Sequence, residues 1–177
     1  MNTIRHAAPI ATLIAIGALA ALAAAATPAA PATPLTPITS NEAKGTLVYK
    51  ARTTALKYVF LVKGPHFPDP SKTERKLIFS AKNIGAELQA CTSMSCAKFL
   101  VREGMTVDFD VSPRLEYWLA VNGQKVQYSG AAMPDAFKAK VNDSTHLGGK
   151  LVIDDVAADG PKVDVEFNVS LFKQFTQ

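Results

Sequence analysis

From Lys162 to Phe172 the chain reads K-V-D-V-E-F-N-V-S-L-F. Val163, Val165, Phe167, Val169 and Leu171 alternate with Lys162, Asp164, Glu166, Asn168 and Ser170. Successive side chains of a strand point to opposite faces, so this pattern predicts a strand with one face buried and one wet. Residues 105–111 repeat it, with Val107, Phe109 and Val111 set against Thr106, Asp108 and Asp110. Further strands are predicted at residues 45–50, 55–63, 76–80 and 150–156. Residues 55–63, A-L-K-Y-V-F-L-V-K, are apolar on both faces over most of their length. That predicts a central strand covered on both sides.

The stretch L-E-Y-W-L-A-V-N-G-Q-K-V-Q-Y-S-G, from Leu115 to Gly130, predicts a hairpin. Asn122-Gly123 suits a type I′ turn, which needs positive φ at both central residues. A two-residue loop would set Val121 against Gln124, Leu119 against Val126 and Tyr117 against Tyr128. The opposite face would then carry Glu116, Trp118 and Ala120 beside Lys125 and Gln127. The chain's single tryptophan is thus expected on a polar face, opposite Gln127. Either it is a stacking platform there, or residues 131–146 fold over it as a loop. Residues 84–90, I-G-A-E-L-Q-A, are the one predicted helix, with Asn83 placed to cap it. Gly64-Pro65 and Phe67-Pro68-Asp69-Pro70 predict a long loop. Seven or eight short strands with turns between them indicate an all-β fold, an antiparallel β-sandwich of immunoglobulin-like general architecture with one short helix. A barrel is the second choice. The Cys–Trp–Cys spacing of immunoglobulin domains is absent, since both cysteines precede Trp118.

A Gly-x-Leu opening strand (Gly45-Thr46-Leu47) and a late Gly-Lys-Leu (Gly149-Lys150-Leu151), leading into a final alternating strand, resemble small exported bacterial β-sandwich proteins of uncharacterised function. The resemblance implies that fold and an exported location. It brings no site residues with it.

The N-terminal pattern differs from the rest. Arg5 and His6 precede a run of apolar and small residues from Ile10 to Ala26, broken only by Thr12 and Gly17. Ala24-Ala25-Ala26 offers the small residues that a signal peptidase accepts. The run falls short of the about 20 residues that a bilayer span needs, so residues 1–26 read as a cleaved signal peptide. No cysteine follows the run before Cys91, so lipid attachment at the cleavage site is excluded. Residues 27–40 place Pro28, Pro31, Pro34 and Pro37 at a constant spacing of three. Proline fixes φ and donates no hydrogen bond, which predicts an extended, solvated tether. The folded domain is expected over residues 41–177, in the periplasm or outside the cell, with no membrane span after cleavage.

Charge narrows the partners. Of 19 Lys and Arg only Arg5 precedes residue 41, and all 15 Asp and Glu follow it, which leaves the domain an excess of three positive charges. The cations are scattered, without a basic run interleaved with aromatics, so nucleic acid is not an expected partner.

The chain's two cysteines lie in A-C-T-S-M-S-C. A thioredoxin-type pair has two residues between its thiols and a helix starting at the first. Here four residues intervene, and the predicted helix ends at Cys91. An oxidising compartment favours a Cys91–Cys96 disulfide around a small loop. The alternative is a copper-type site, in which Cys91, Met94 and Cys96 offer soft sulfur ligands and His66 is the nearest histidine. His66 and His146 lie in predicted loops near Asp69 and Asp143, an arrangement open to acid–base chemistry but usual for solvated histidines. No G-x-S-x-G elbow marks a nucleophilic serine. Asp108 and Asp110 are expected side by side on a wet face, about 7 Å apart by strand geometry. The leading expectation is a non-enzymatic binding module for a protein or carbohydrate, using Trp118, Lys125 and Gln127 and no cofactor. Periplasmic copper handling is the alternative.

Overall fold

The computed structural model describes residues 41–67, 69–124 and 126–176. The predicted signal peptide, the tether and Lys125 lie outside the described residues. Alternation becomes strand where it was read. The strands are β1 (Glu42–Tyr49), β2 (Arg52–Pro65), β3 (Thr73–Ser80), β4 (Gly104–Phe109), β5 (Leu115–Ala120), β6 (Tyr128–Ala132), β7 (Phe137–Asn142), β8 (His146–Asp154) and β9 (Lys162–Gln174). Two short helices, α1 (Gly85–Ala90) and α2 (Met94–Lys98), separate β3 from β4. Among the described residues no helix is long and apolar enough to cross a membrane.

The strands join one curled, half-barrel sheet in the order β6-β5-β4-β3-β2-β1-β9-β8-β7. The mainly antiparallel all-β class stands, with one sheet where two stacked sheets were expected. The curl has a local cause. β1 has 8 residues, against 14 in β2 and 13 in β9, and it pairs antiparallel with both. Its neighbours therefore run the same way. Past the start of β1 they meet directly in a parallel ladder, with Leu61 beside Leu171 and Lys63 beside Gln174.

The curl brings the two arms of the sheet together over a single apolar face. Phe79 of β3 packs edge-on against Phe167 of β9, with ring centroids 5.3 Å apart. Phe109 of β4 meets Phe137 of β7 at 5.6 Å, although five strands stand between them in the sheet order. Val163, Val165, Phe167 and Val169 face this core, as their alternation predicted. A curled sheet buries one face of each strand just as a sandwich does. Period-two patterning is the same for both.

Outside the curl, a second and smaller core forms under the helices. Phe60, Val62 and Ile78 on the outer face pack with Leu88, Cys91, Met94, Ala97 and Val101. Val59, Phe60, Leu61 and Val62 are all buried, so β2 is covered on both sides as predicted. Asn83 Oδ1 accepts from Gly85 N at 2.9 Å at the start of α1. α2 was not predicted. Its cap is Ser93, whose side chain accepts from Cys96 N.

The hairpin after β5 has the predicted turn but a different register. Asn122 and Gly123 both have positive φ, and Gln124 N donates to Val121 O at 3.2 Å. The strands do not continue from that turn. Gln127 N donates to Leu119 O, and β6 begins at Tyr128, so Leu119 pairs with Tyr128, Tyr117 with Gly130 and Trp118 with Ser129. Residues 131–146 do not cover Trp118 either. Within them β7 pairs with β8 at the far edge of the sheet. Its F-K-A-K-V-N sequence buries only Phe137 fully, which is why it carries little strand signal.

Phe79 joins the two arms and is fully buried. Phe79→Ala is expected to cost about 3–5 kcal/mol, read as a lower denaturant midpoint at unchanged m-value in equilibrium unfolding.

Candidate functional site

Alternation along β3, β4 and β5 places Glu74, Lys76, Asp108, Glu116 and Trp118 on the outer face of the sheet. The register sets Lys76 opposite Asp108 and Asp108 opposite Glu116. Lys76 donates to Asp108, and its Nζ lies 3.3 Å from Glu74 Oε1. The other oxygen of Glu74 lies 2.6 Å from His66 Nδ1. Lys76, Glu74 and Asp108 are all buried, the lysine side chain to 2% exposure. Burial pushes Asp108 above the ordinary carboxylate range, against the opposing pull of Lys76. Thr106, which pairs with Trp118 in the ladder, has a buried hydroxyl with no hydrogen-bond partner among the described residues.

Three contacts hold α2 and the segment leading into it above this charged stripe. The Cys91–Cys96 disulfide spans 5.5 Å between Cα atoms and ties the segment after α1 to the middle of α2. Met94 rests on β2 where Gly64 leaves room. A Cβ at Gly64 would lie 2.7 Å from Met94 Cγ. Lys173 of β9 donates to the carbonyl oxygens of Gln89 and Cys91, at 2.5 and 2.6 Å, which satisfies acceptors that the end of α1 leaves open.

So held, the last residue of α2 reaches the tryptophan. Lys98 Nζ stands 3.4 Å from the centroid of the Trp118 ring, and Lys76 Nζ lies 5.4 Å from the same ring. Burial, then the like charge of Lys76, lowers the Lys98 pKa from the ordinary lysine value. Between α2, the sheet and the loop after β2 lies a cleft of about 640 Å³. His66 and Phe67 enter it from that loop, which closes by a backbone bond from His66 N to Lys72 O. Phe67 is 88% exposed, so it stands at the rim instead of filling the cleft.

The predicted site residues are therefore dispersed. Trp118 is half-buried in the cleft. Gln127 lies in another hollow, with Tyr49, Arg52 and Asn122, and donates to Gln124. Lys125 is outside the described residues. The two-residue-loop register was the reason for grouping these three, and the longer connection from Val121 to Gln127 removes it. His66 and Met94 both line the cleft, while Cys91 and Cys96 are bonded to each other.

Asp108 and Asp110 do not share a wet face. Asp108 is buried against Lys76, whereas Asp110 leaves the strand at φ 76° and takes a two-pronged contact from Arg75 at 2.5 and 2.6 Å. His66 meets Glu74, and Asp69 bonds Ser71 instead. His146 Nε2 lies 2.6 Å from Asn168 Oδ1. Ser95 also lines the cleft but forms no hydrogen bond to His66. With Nδ1 engaged by Glu74, His66 Nε2 has no hydrogen bond among the described residues and can meet a ligand.

Glu74, Lys76 and Lys98 were missed, and Glu116, though expected on the Trp118 face, was not counted in the site. A signal for the first two existed, because E-R-K puts opposite charges on one strand face. Ser93 before M-S-C-A-K was a readable helix start. Nothing in the sequence said that α2 would end above Trp118.

No family model, curated protein or solved structure matches the chain. The site must be read from its own geometry.

Removing Lys76 would leave buried Asp108 without its partner and Glu74 with His66 alone. Lys76→Met is expected to cost about 3–5 kcal/mol in equilibrium unfolding, and much less when Glu74→Gln and Asp108→Asn are made with it. Lys98 gives a pH signature. Its pKa is lowered from 10.5 in the folded state, so the unfolded chain binds more protons at this group in the window below 10.5. Its contribution is present above that value and is lost as pH falls through the folded-state pKa. Unfolding free energies measured across the alkaline range should show this dependence in the native chain and lose it in Lys98→Met.

Proposed function

We propose that residues 41–177 are an exported, ligand-binding module without covalent chemistry, whose site is the cleft between α2 and the outer face of β3, β4 and β5. The observation that carries this reading is the single tryptophan, half-buried in a cleft of about 640 Å³ with a charged network beneath it. Buried ion pairs gain little stability over apolar packing of the same size, because desolvation offsets their attraction. In this reading Glu74, Lys76 and Asp108, held beside a half-buried aromatic ring, serve recognition. The ring offers a broad apolar surface, and the charges and the free nitrogen of His66 offer direction.

Two features of the chain support the exported part of this reading. A disulfide persists where thiols are oxidised, and the N-terminal pattern is that of an export signal. Protein recovered from the periplasm or medium is expected to begin at Thr27, as N-terminal sequencing would show. An intact leader would contradict the exported location.

Trp118 is the chain's only tryptophan, so its fluorescence reports on this cleft alone. Acrylamide is expected to quench it in the free protein, and a ligand is expected to protect it. Emission that resists the quencher from the start would mean a sealed ring and defeat the reading.

One observation favours soft-metal handling as a second reading: Met94 and His66 line the same cleft. With Cys91 and Cys96 joined, their thiolates are not available to copper. Competition with a Cu(I) chelator should therefore show stoichiometric binding only after reduction of the disulfide. Tight binding by the oxidised protein, lost in Met94→Leu, would favour the metal reading instead.

A further inference from the structure

We infer that the cleft takes an organic cation, a primary or quaternary ammonium, and that Lys98 is the internal occupant which this ligand displaces. This deepens the binding reading above and rests on it. An indole face attracts a cation through its quadrupole, most strongly where water is excluded. The Trp118 face already holds one, since Lys98 Nζ lies 3.4 Å from the ring centroid. The protein thus displays, with its own side chain, the contact that such a ligand would make.

The two lysines near the ring differ in their freedom. Lys76 is buried and bound by both Glu74 and Asp108, so it cannot leave without stranding buried Asp108. Lys98 is the last residue of a five-residue helix and forms no ion pair within 4.0 Å among the described residues. Its four-carbon stem can swing outward while the backbone of α2 stays fixed by the disulfide. Half-burial already disfavours its charged form, which lowers the cost of moving it back to water.

The charge left behind sets the ligand's sign. Glu74, Asp108 and Glu116 line the cleft with Lys76 and Lys98. With Lys98 withdrawn, the carboxyl groups of Glu74, Asp108 and Glu116 face the single ammonium of Lys76, which leaves acidic groups in surplus. An anion entering there would meet that surplus, and the cation nearest to it, Lys76, is already committed. A neutral sugar could stack on the ring, but it would displace the Lys98 contact and supply no cation in return. A methylated or primary ammonium restores both the ring contact and the charge, with Phe67 at the rim as a further aromatic surface.

Because Lys98 is tethered, it competes at high effective concentration with any free ligand. Titration of Trp118 fluorescence with tetramethylammonium, at constant ionic strength, should give a saturable change in the native protein. The neutral tert-butanol should give none. Lys98→Gln should bind tetramethylammonium about threefold or more tightly, by loss of the competing cation–π contact. Glu116→Gln should bind it more weakly. Both variants alter partly exposed side chains, and circular dichroism checks that they fold. Weaker or unchanged binding in Lys98→Gln would overturn the displacement. Saturation by N-acetylglucosamine but not by tetramethylammonium would overturn the cation and leave the binding cleft standing. Silence of Trp118 toward every probe in both proteins would sink the two together.

Discussion

A single sheet with one apolar face must cover that face with itself. Here the short first strand makes this possible. β2 and β9 continue past the start of β1, and their direct parallel pairing draws the two arms of the sheet toward one another. The aromatic contacts across the opening, Phe79 with Phe167 and Phe109 with Phe137, follow from that closure. So does the bond from the Tyr117 hydroxyl to Asp155, beyond β8 on the other arm. Without the curl, more than twenty buried apolar side chains would face water.

The outer face answers to a different constraint. Its β1, β8 and β9 positions are mostly polar and solvated, but over β3, β4 and the second half of β2 the same face is buried. Apolar residues there, Phe60, Val62 and Ile78, are met by the helical segment. Further along, the covered positions are Glu74, Lys76 and Asp108, where the buried ammonium is bracketed by both carboxyl groups. The disulfide matters through placement. It links residues five apart, and closing so short a loop restricts the unfolded chain little. What it fixes is the height and direction of a helix too short to be stable alone.

The cleft is the region where these two constraints fail to meet. α2 covers the apolar part of the outer face and stops at Lys98, one side chain short of sealing Trp118. The lysine bridges that gap with its own stem and charge. A larger apolar residue there would complete the small core, whereas a lysine keeps the ring covered by a group that water can take back. The loop after β2 borders the same gap with His66 and Phe67, one polar and one aromatic group.

Much of this architecture was legible in the residues. Alternation found most of the strands, the doubly covered β2 and the inward set of β9, because each depends on a two-residue period within one segment. The Asn122-Gly123 turn was legible for the same local reason. Its hairpin register was not, since the chain from Gln124 to Gln127 loops before pairing and no local rule forbids it. The disulfide followed from two cysteines and an inferred compartment. Trp118 stood out as an aromatic on a polar face, yet its neighbours were misassigned. Sequence alone determined which residues point to the same side of each strand. Only the tertiary structure decided which strands and helix share that side, because the site joins residues of β3, β4, β5, α2 and a loop, brought together by sheet curl and a covalent link that span far more chain than any periodicity can reach.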